Sequence, residues 1–310
     1  MKKLEEIPSF ICKEGDTNLA AYCDTDSVYI HAEPILNHLY PNFDEMEDKE
    51  KDEVLEKVAL QYQDIITDYY NTLAKDCFNV DEHRLEMHTE CVIRSAYFRA
   101  TRRYAQWITK EEGIEKDTLD IKGLEFKKAN FPPILGKFFK EILIDLLKDA
   151  KKEDITQRIM DFKQQILDGT LSLNNLGNPV AVKKLNKYTK SKARPGEIFS
   201  KVEKGAPAAV KAAVVYNDLL KFWGLNKEYS YITQGDKIKW IYLKPNEYHV
   251  EAIGFLGYEM PPKIEDFIER YADRKKIFDS ILLNKLEGLY SDMGWDLTLN
   301  PYINEFFTSN

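Results

Sequence analysis

Two aspartates one residue apart, Asp24-Thr25-Asp26, lie between two short apolar and aromatic segments, Asn18-Leu-Ala-Ala-Tyr-Cys23 and Ser27-Val-Tyr-Ile-His31. The pattern predicts a β-hairpin with acids at its tip. Carboxylates held this close repel one another unless a cation neutralises them. Mg²⁺ suits such a pair, because it takes one or two protein carboxylates and keeps positions open for phosphate oxygens. Two such ions activate an attacking hydroxyl and stabilise a leaving oxygen in phosphoryl or nucleotidyl transfer. Asp-Thr-Asp is also ordinary turn chemistry that needs no metal. Apolar strands on both sides favour the metal, since they would make the tip rigid.

The elements that must hold this tip are legible in outline. Apolar positions Val54, Val58, Leu60, Ile65, Tyr69 and Leu73 predict an amphipathic helix over 50–77 with a solvated acidic face. Residues 84–93, 104–108 and 118–122 read as strands, with a turn at Lys110-Glu-Glu-Gly113. After Pro132-Pro133 the periodicity becomes helical, over 134–149, 153–168, 206–222 and 263–290. A hairpin is predicted over 229–243, around Gln234-Gly235-Asp236. The expected fold class is α+β: an antiparallel sheet with helices, then a mainly helical part, with the boundary near residues 123–133.

Composition narrows the function. At 310 residues and 44% hydrophobic, the chain can bury substantial cores. No run of 18 apolar residues predicts a membrane span, and no apolar stretch after Met1-Lys2-Lys3-Leu4 predicts a secretory signal. The four cysteines form no C-x-x-C pair, so neither a disulfide scaffold nor structural zinc is expected, and a reducing cytoplasm fits. A net charge of −8 argues against a uniformly basic nucleic-acid coat, but the charge is segregated. Residues 33–56 carry a balance of −7 and residues 181–211 a balance of +7. Such a division suits a protein that faces a polyanion on one side only.

Tyr22-Cys23-Asp24-Thr25-Asp26-Ser27-Val28-Tyr29 resembles the Y-G-D-T-D-S motif of family B DNA polymerases of the T-even-like phage type. In the family's order there follow Thr101-Arg102-Arg103-Tyr104, which resembles K-K-R-Y, and Lys122-Gly123-Leu124-Glu125, which resembles K-G-L-E. The resemblance implies half of a polymerase palm over 1–125, a thumb over 126–299 and a tail over 300–310. It implies that Asp26 ligates catalytic Mg²⁺, that Asp24 tunes the metal geometry, and that Glu90, thirteen residues before Arg103, is either a third carboxylate or an ordinary strand glutamate. Thr101, Arg102, Arg103, Tyr104 and Lys122 would hold the primer–template. Lys127 and Lys128 would touch phosphate, and Lys183, Lys184, Lys187 and Lys190 would grip the duplex without sequence preference. Cys23 in place of Gly and Thr101 in place of Lys depart from the family pattern. Neither change removes a metal ligand.

The family's other metal aspartate, in a D-x-x-S-L-Y-P motif, and its nucleotide-gripping K-x-x-x-N-S-x-Y-G helix lie upstream of the hairpin, and only 23 residues precede Asp24 here. His38-Leu39-Tyr40-Pro41 echoes S-L-Y-P, but Ile35 stands where the aspartate belongs. The expectation is therefore one subunit of a split polymerase, inactive alone. An N-terminal partner would supply exonuclease, fingers and the rest of the palm, with dNTP and primer–template DNA as substrates. A truncated polymerase would read the same way. The host-cell cytoplasm is the expected location if a phage encodes the chain. Asn300-Pro-Tyr-Ile-Asn-Glu-Phe-Phe307 resembles a sliding-clamp peptide, with Ile303, Phe306 and Phe307 as its anchors. Two rival readings are a non-catalytic DNA-binding or processivity subunit with a relic Asp-Thr-Asp, and a two-metal nuclease using Glu86, Glu90 or the acids of 44–53.

Overall fold

The computed structural model describes residues 20–191 and 197–297, with Lys127, Lys190 and Ser191 described by backbone only. The fold is α+β, and the chain divides into two compact units at Gly123/Leu124.

In the first unit, strands β1 (Ala20–Asp24) and β2 (Ser27–Ile30) form an antiparallel hairpin in which Asp24 pairs with Ser27 across the turn. Helix α1 (Glu33–Leu39) and the long helix α2 (Asp48–Phe78) follow. A three-stranded antiparallel sheet closes the unit, in the order β3 (Cys91–Ala100), β4 (Arg103–Glu111), β5 (Ile114–Lys122). Central β4 is buried continuously from Tyr104 to Thr109. Ile35 and Leu36 of α1 pack against Val54 and Val58 of α2, so the isoleucine in the S-L-Y-P look-alike is a core residue, 0% exposed.

Two expectations for this unit are corrected. The acidic face of α2 is not simply solvated. Asp48, Asp52 and Glu56, one turn apart, lie on the side facing the sheet. The Arg94 guanidinium donates to Asp48 at 2.5 Å and to Asp52 at 2.7 Å, and the Lys110 ammonium donates to Glu56 at 2.6 Å. Conversely Leu60, Ile65, Tyr69 and Phe78 are exposed. The strand expected from residue 84 starts only at Cys91. Residues 83–89 hang instead along α2, where Gln63 Oε1 accepts from the Thr89 amide at 2.7 Å and Asn71 Oδ1 lies 3.0 Å from His83 Nε2. Side chains at helical spacing thus satisfy polar groups that a strand partner would otherwise take.

The second unit starts with α3 (Pro133–Leu147), which has proline at its first position, and α4 (Lys152–Leu167). They meet through the stacked rings of Phe138 and Phe162, 3.8 Å between centroids. Short helix α5 (Leu173–Leu176), strand β6 (Asn178–Ala181), helix α6 (Leu185–Tyr188) and the small strands β7 (Thr189–Ser191) and β8 (Lys201–Val202) precede α7 (Ala208–Phe222). Strands β9 (Lys237–Tyr242) and β10 (Ala252–Phe255) join β6 in a second antiparallel sheet, order β10-β9-β6. This sheet was not expected among the helices. The predicted 229–243 hairpin does not form, because Asn217 bonds both the amide and the carbonyl of Ile232, at 2.7 and 2.8 Å, so the segment before Gly235 has no ladder to join. The last helical stretch is broken into α8 (Pro262–Tyr271), α9 (Arg274–Ile277), a π-helical segment (Phe278–Leu283) and α10 (Asn284–Asp292). The break falls where Asp273 caps the Lys276 amide at 2.9 Å.

Candidate functional site: an acidic hairpin tip clamped by arginine

Four rings hold the hairpin in place. Tyr22 and Tyr29 of the hairpin, Phe98 of β3 and Tyr104 of β4 all lie within 5.3–5.8 Å of one another, centroid to centroid. That spacing suits tilted and edge-on aromatic packing. The Tyr29 and Tyr104 hydroxyls meet at 3.1 Å. Burial, reinforced by this bond, pushes the Tyr29 phenol well above its ordinary range. The Lys122 ammonium sits 5.7 Å from the Tyr104 ring, and a hydrogen bond with that tyrosine holds its pKa above the usual lysine value.

The tip itself is made by two facing turns. Thr25 and Arg102 both have φ of 60°, each in a two-residue connection between paired strands. A β-branched residue in the left-handed region is a strained choice, tolerated where surrounding structure over-determines it. Here the Arg102 fork grips Asp24, Nε donating to Oδ2 at 2.9 Å and Nη2 to Oδ1 at 3.1 Å. Thr25 Oγ1 donates to the same Oδ1 at 3.1 Å, and the Arg102 amide donates to Tyr22 Oη at 3.0 Å. The guanidinium holds the Asp24 carboxyl below its ordinary range, and the carboxylate in turn raises the Arg102 pKa.

Asp26 is exposed, and its carboxylate has no hydrogen-bond or ion-pair partner among the described residues. The two aspartates therefore differ in what they can do. Asp24 is neutralised by Arg102, whereas Asp26 can still give an oxygen to a cation. One carboxylate ligand with other positions left to water or phosphate fits Mg²⁺. Among the described residues, no three His, Cys, Asp or Glu side chains cluster closely enough to hold a metal.

The other expected site residues are dispersed. Glu90 lies outside β3, and its carbonyl accepts from the Glu112 amide at 2.7 Å beside the β4–β5 turn, at the opposite end of the β3–β4 ladder from Arg102. Its side chain has no hydrogen-bond partner among the described residues, and it lines a shallow pocket with Glu56, Leu60, Cys91 and Lys110. Thr101 and Arg103 are exposed, while Tyr104 is 5% exposed and points into the ring cluster, as a packing residue within this unit. Lys128, Lys183, Lys184 and Lys187 are exposed in the second unit. Lys127 and Lys190 are described by backbone only, and Ile303, Phe306 and Phe307 lie outside the described residues. Sequence reasoning missed the Arg102–Asp24 bond, which joins positions 78 apart. The one signal for it is the paired tyrosines at 22 and 29, which required a second aromatic surface elsewhere.

No protein-family model matches this chain, and no curated protein matches it. Among the described residues no helix is long and apolar enough to cross a membrane.

Proposed function

We propose that this chain is the C-terminal subunit of a family B DNA polymerase, giving one metal-binding aspartate and a primer–template grip to template-directed DNA synthesis, and that it is active only with an N-terminal polymerase chain. The observation that carries the reading is convergence. The hairpin resembling Y-G-D-T-D-S meets, through Arg102 on Asp24, a segment 78 residues away that resembles K-K-R-Y, and the Tyr104 of that segment pairs across the β4–β5 hairpin with Lys122, where the K-G-L-E-like segment begins. Nothing in turn propensity alone requires that meeting.

In this reading Asp26 holds Mg²⁺, which when bound supplies Lewis-acid activation of the primer 3′-hydroxyl and neutralises phosphate charge. Arg103, exposed and without a side-chain partner among the described residues, offers its planar fork to a primer phosphate. Lys183, Lys184 and Lys187 give affinity through phosphates and no base preference. The N-terminal chain covers the apolar stripe left exposed on α2 by Ile65 and Tyr69.

The experiment mixes this chain with the polypeptide that carries the D-x-x-S-L-Y-P segment and measures primer extension. Each chain alone should incorporate no nucleotide and the mixture should. Asp26→Asn should leave folding unchanged and lower incorporation by about 100-fold or more, the equivalent of the several kcal/mol a catalytic metal supplies. Full activity of Asp26→Asn in the mixture would favour a DNA-binding subunit with a relic hairpin, and incorporation by this chain alone would overturn the split arrangement.

A further inference from the structure

We propose that the outer face of helix α2, past the part covered by α1, seats a helix of a partner protein, one that brings an apolar stripe flanked by lysine and arginine. Under the polymerase reading that partner is the N-terminal chain, and this assignment rests on that reading; the docking chemistry stands on α2 alone.

Helix α2 gives its polar side to its own chain. Asp48, Asp52 and Glu56 take Arg94 and Lys110, and further along the same side Gln63, Thr67 and Asn71 hold the 83–89 segment. The opposite side is apolar. It begins with Val54 and Val58, buried against Ile35 and Leu36 of α1, with Tyr62 packed on the same cluster. Eleven residues of helix make about three turns, so Ile65 and Tyr69 continue the line of Val54 and Val58. The cluster under α1 does not extend to them: Ile65 is 42% exposed and Tyr69 60%. Thr72 and Asp76, both exposed, complete the line. The uncovered stretch from Ile65 to Asp76 is about 18 Å long, room for about three turns of a facing helix.

The charge beside the stripe specifies what the occupant carries. Asp64 and Asp68 stand one turn apart along one edge of it, both exposed, and neither carboxylate has a hydrogen-bond or ion-pair partner among the described residues. Like charges at this spacing repel. Arg94 and Lys110 are already spent on the inner row of acids. Over residues 60–90 seven acids stand against two bases, Lys75 and Arg84. An apolar strip with an unneutralised acidic edge favours a cationic helix and rejects an acidic one. A second copy of this chain, docked antiparallel through the same stripe, would set the acidic edge against itself. The exposed ring of Tyr69 is the natural anchor, since large aromatic side chains carry most of the energy of such contacts.

The test uses the full chain as wild type, as Ile65→Ala/Tyr69→Ala and as Asp64→Lys/Asp68→Lys. All four positions are exposed, so the thermal melts should match. The probes are two synthetic helices of about 18 residues with the same leucine stripe at helical spacing, flanked by lysine in one and by glutamate in the other. The wild type should bind the lysine helix about tenfold or more tighter than the glutamate helix, and the gap should close at high salt. Ile65→Ala/Tyr69→Ala should weaken binding of the lysine helix by about 100-fold, and Asp64→Lys/Asp68→Lys should reverse the preference. Equal affinity for the two helices, or binding that Ile65→Ala/Tyr69→Ala leaves unchanged, overturns the proposal. So does a dimer of the wild-type chain in sedimentation that Ile65→Ala/Tyr69→Ala dissolves, which would give the stripe to a second copy. Against the N-terminal polymerase chain, Asp64→Lys/Asp68→Lys should weaken association by about tenfold at low salt, and unchanged affinity overturns that assignment of the partner. If that chain does not associate with the wild type at all, the polymerase reading fails separately, and the two synthetic helices still decide the docking site.

Discussion

Gly123→Ala puts the geometry at the hairpin base to a quantitative test, with Gly113→Ala as its matched control. Both glycines have positive φ, +66° and +76°. An alanine in that region costs about 1–2 kcal/mol at either site. The sites differ in what the new methyl meets: nothing lies within 4 Å at Gly113, whereas at Gly123 the Arg102 carbonyl oxygen stands 1.9 Å away. That oxygen belongs to backbone, so the turn itself must move by more than an ångström. Overpacking of this kind adds about 1–3 kcal/mol. Gly113→Ala should thus lose about 1–2 kcal/mol and Gly123→Ala about 2–5 kcal/mol, a large part of the 5–15 kcal/mol typical of a domain. Hydrogen exchange read on peptides from β3, β4 and β5, together with urea titration, measures both losses. Equal losses in the two variants, within about 0.5 kcal/mol, would show that Arg102 does not rest on Gly123.

Further outcomes follow from groups elsewhere in the chain. The Tyr216 hydroxyl is fully buried and has no hydrogen-bond partner among the described residues, so Tyr216→Phe should stabilise the chain by about 1 kcal/mol in a urea titration, and a loss of stability would reveal an unseen partner. Burial raises the pKa of this phenol from 10.0, so the folded state keeps a proton that the unfolded chain gives up. Ionisation of this group leaves the chain's stability untouched below pH 10 and lowers it as pH rises beyond that; Tyr216→Phe should flatten that alkaline decline, measured by thermal melts from pH 8 to 11. If the proposed primer–template binding holds, replacing Lys183, Lys184 and Lys187 by glutamine should lower its salt slope by up to about 3, each phosphate contact contributing about 0.9, and an unchanged slope would remove them from the proposed duplex grip. Ile65→Lys with Tyr69→Glu should leave the chain's own stability nearly unchanged, since both side chains are exposed, but should abolish co-elution with the proposed N-terminal chain; undiminished co-elution would exclude the α2 stripe from the proposed interface.

The sequence made the hairpin and its charge legible because both are local. Asp24 to Ser27 is a turn flanked by alternating aromatic residues, and period-two patterning and turn chemistry report on such short stretches directly. Helix α2 was legible as a helix for the same reason, but which of its faces would be buried was not. Acids at 48, 52 and 56 read as solvent-facing until Arg94 and Lys110, more than forty residues later, appear beside them. The stretch 84–90 has the residues of a strand, and what denies it a ladder is a row of polar side chains on α2. The second sheet was hidden because β6 is four residues long and includes Pro179, too short and too interrupted to show a period.

The division of roles between the two aspartates could not be read from the motif, in which they look equivalent. It follows from an arginine brought from another turn, whose backbone carbonyl packs so close to Gly123 that a Cβ there would stand 1.9 Å away. A carboxylate pair is ambiguous between structure and catalysis as long as both members are free. Once Arg102 takes both oxygens of Asp24, the electrostatic conflict within the pair is settled inside the protein, and the charge that remains for a cation sits on Asp26. The strained φ of Thr25 then has a physical account, since relaxing it would pull Asp24 off the fork that neutralises it.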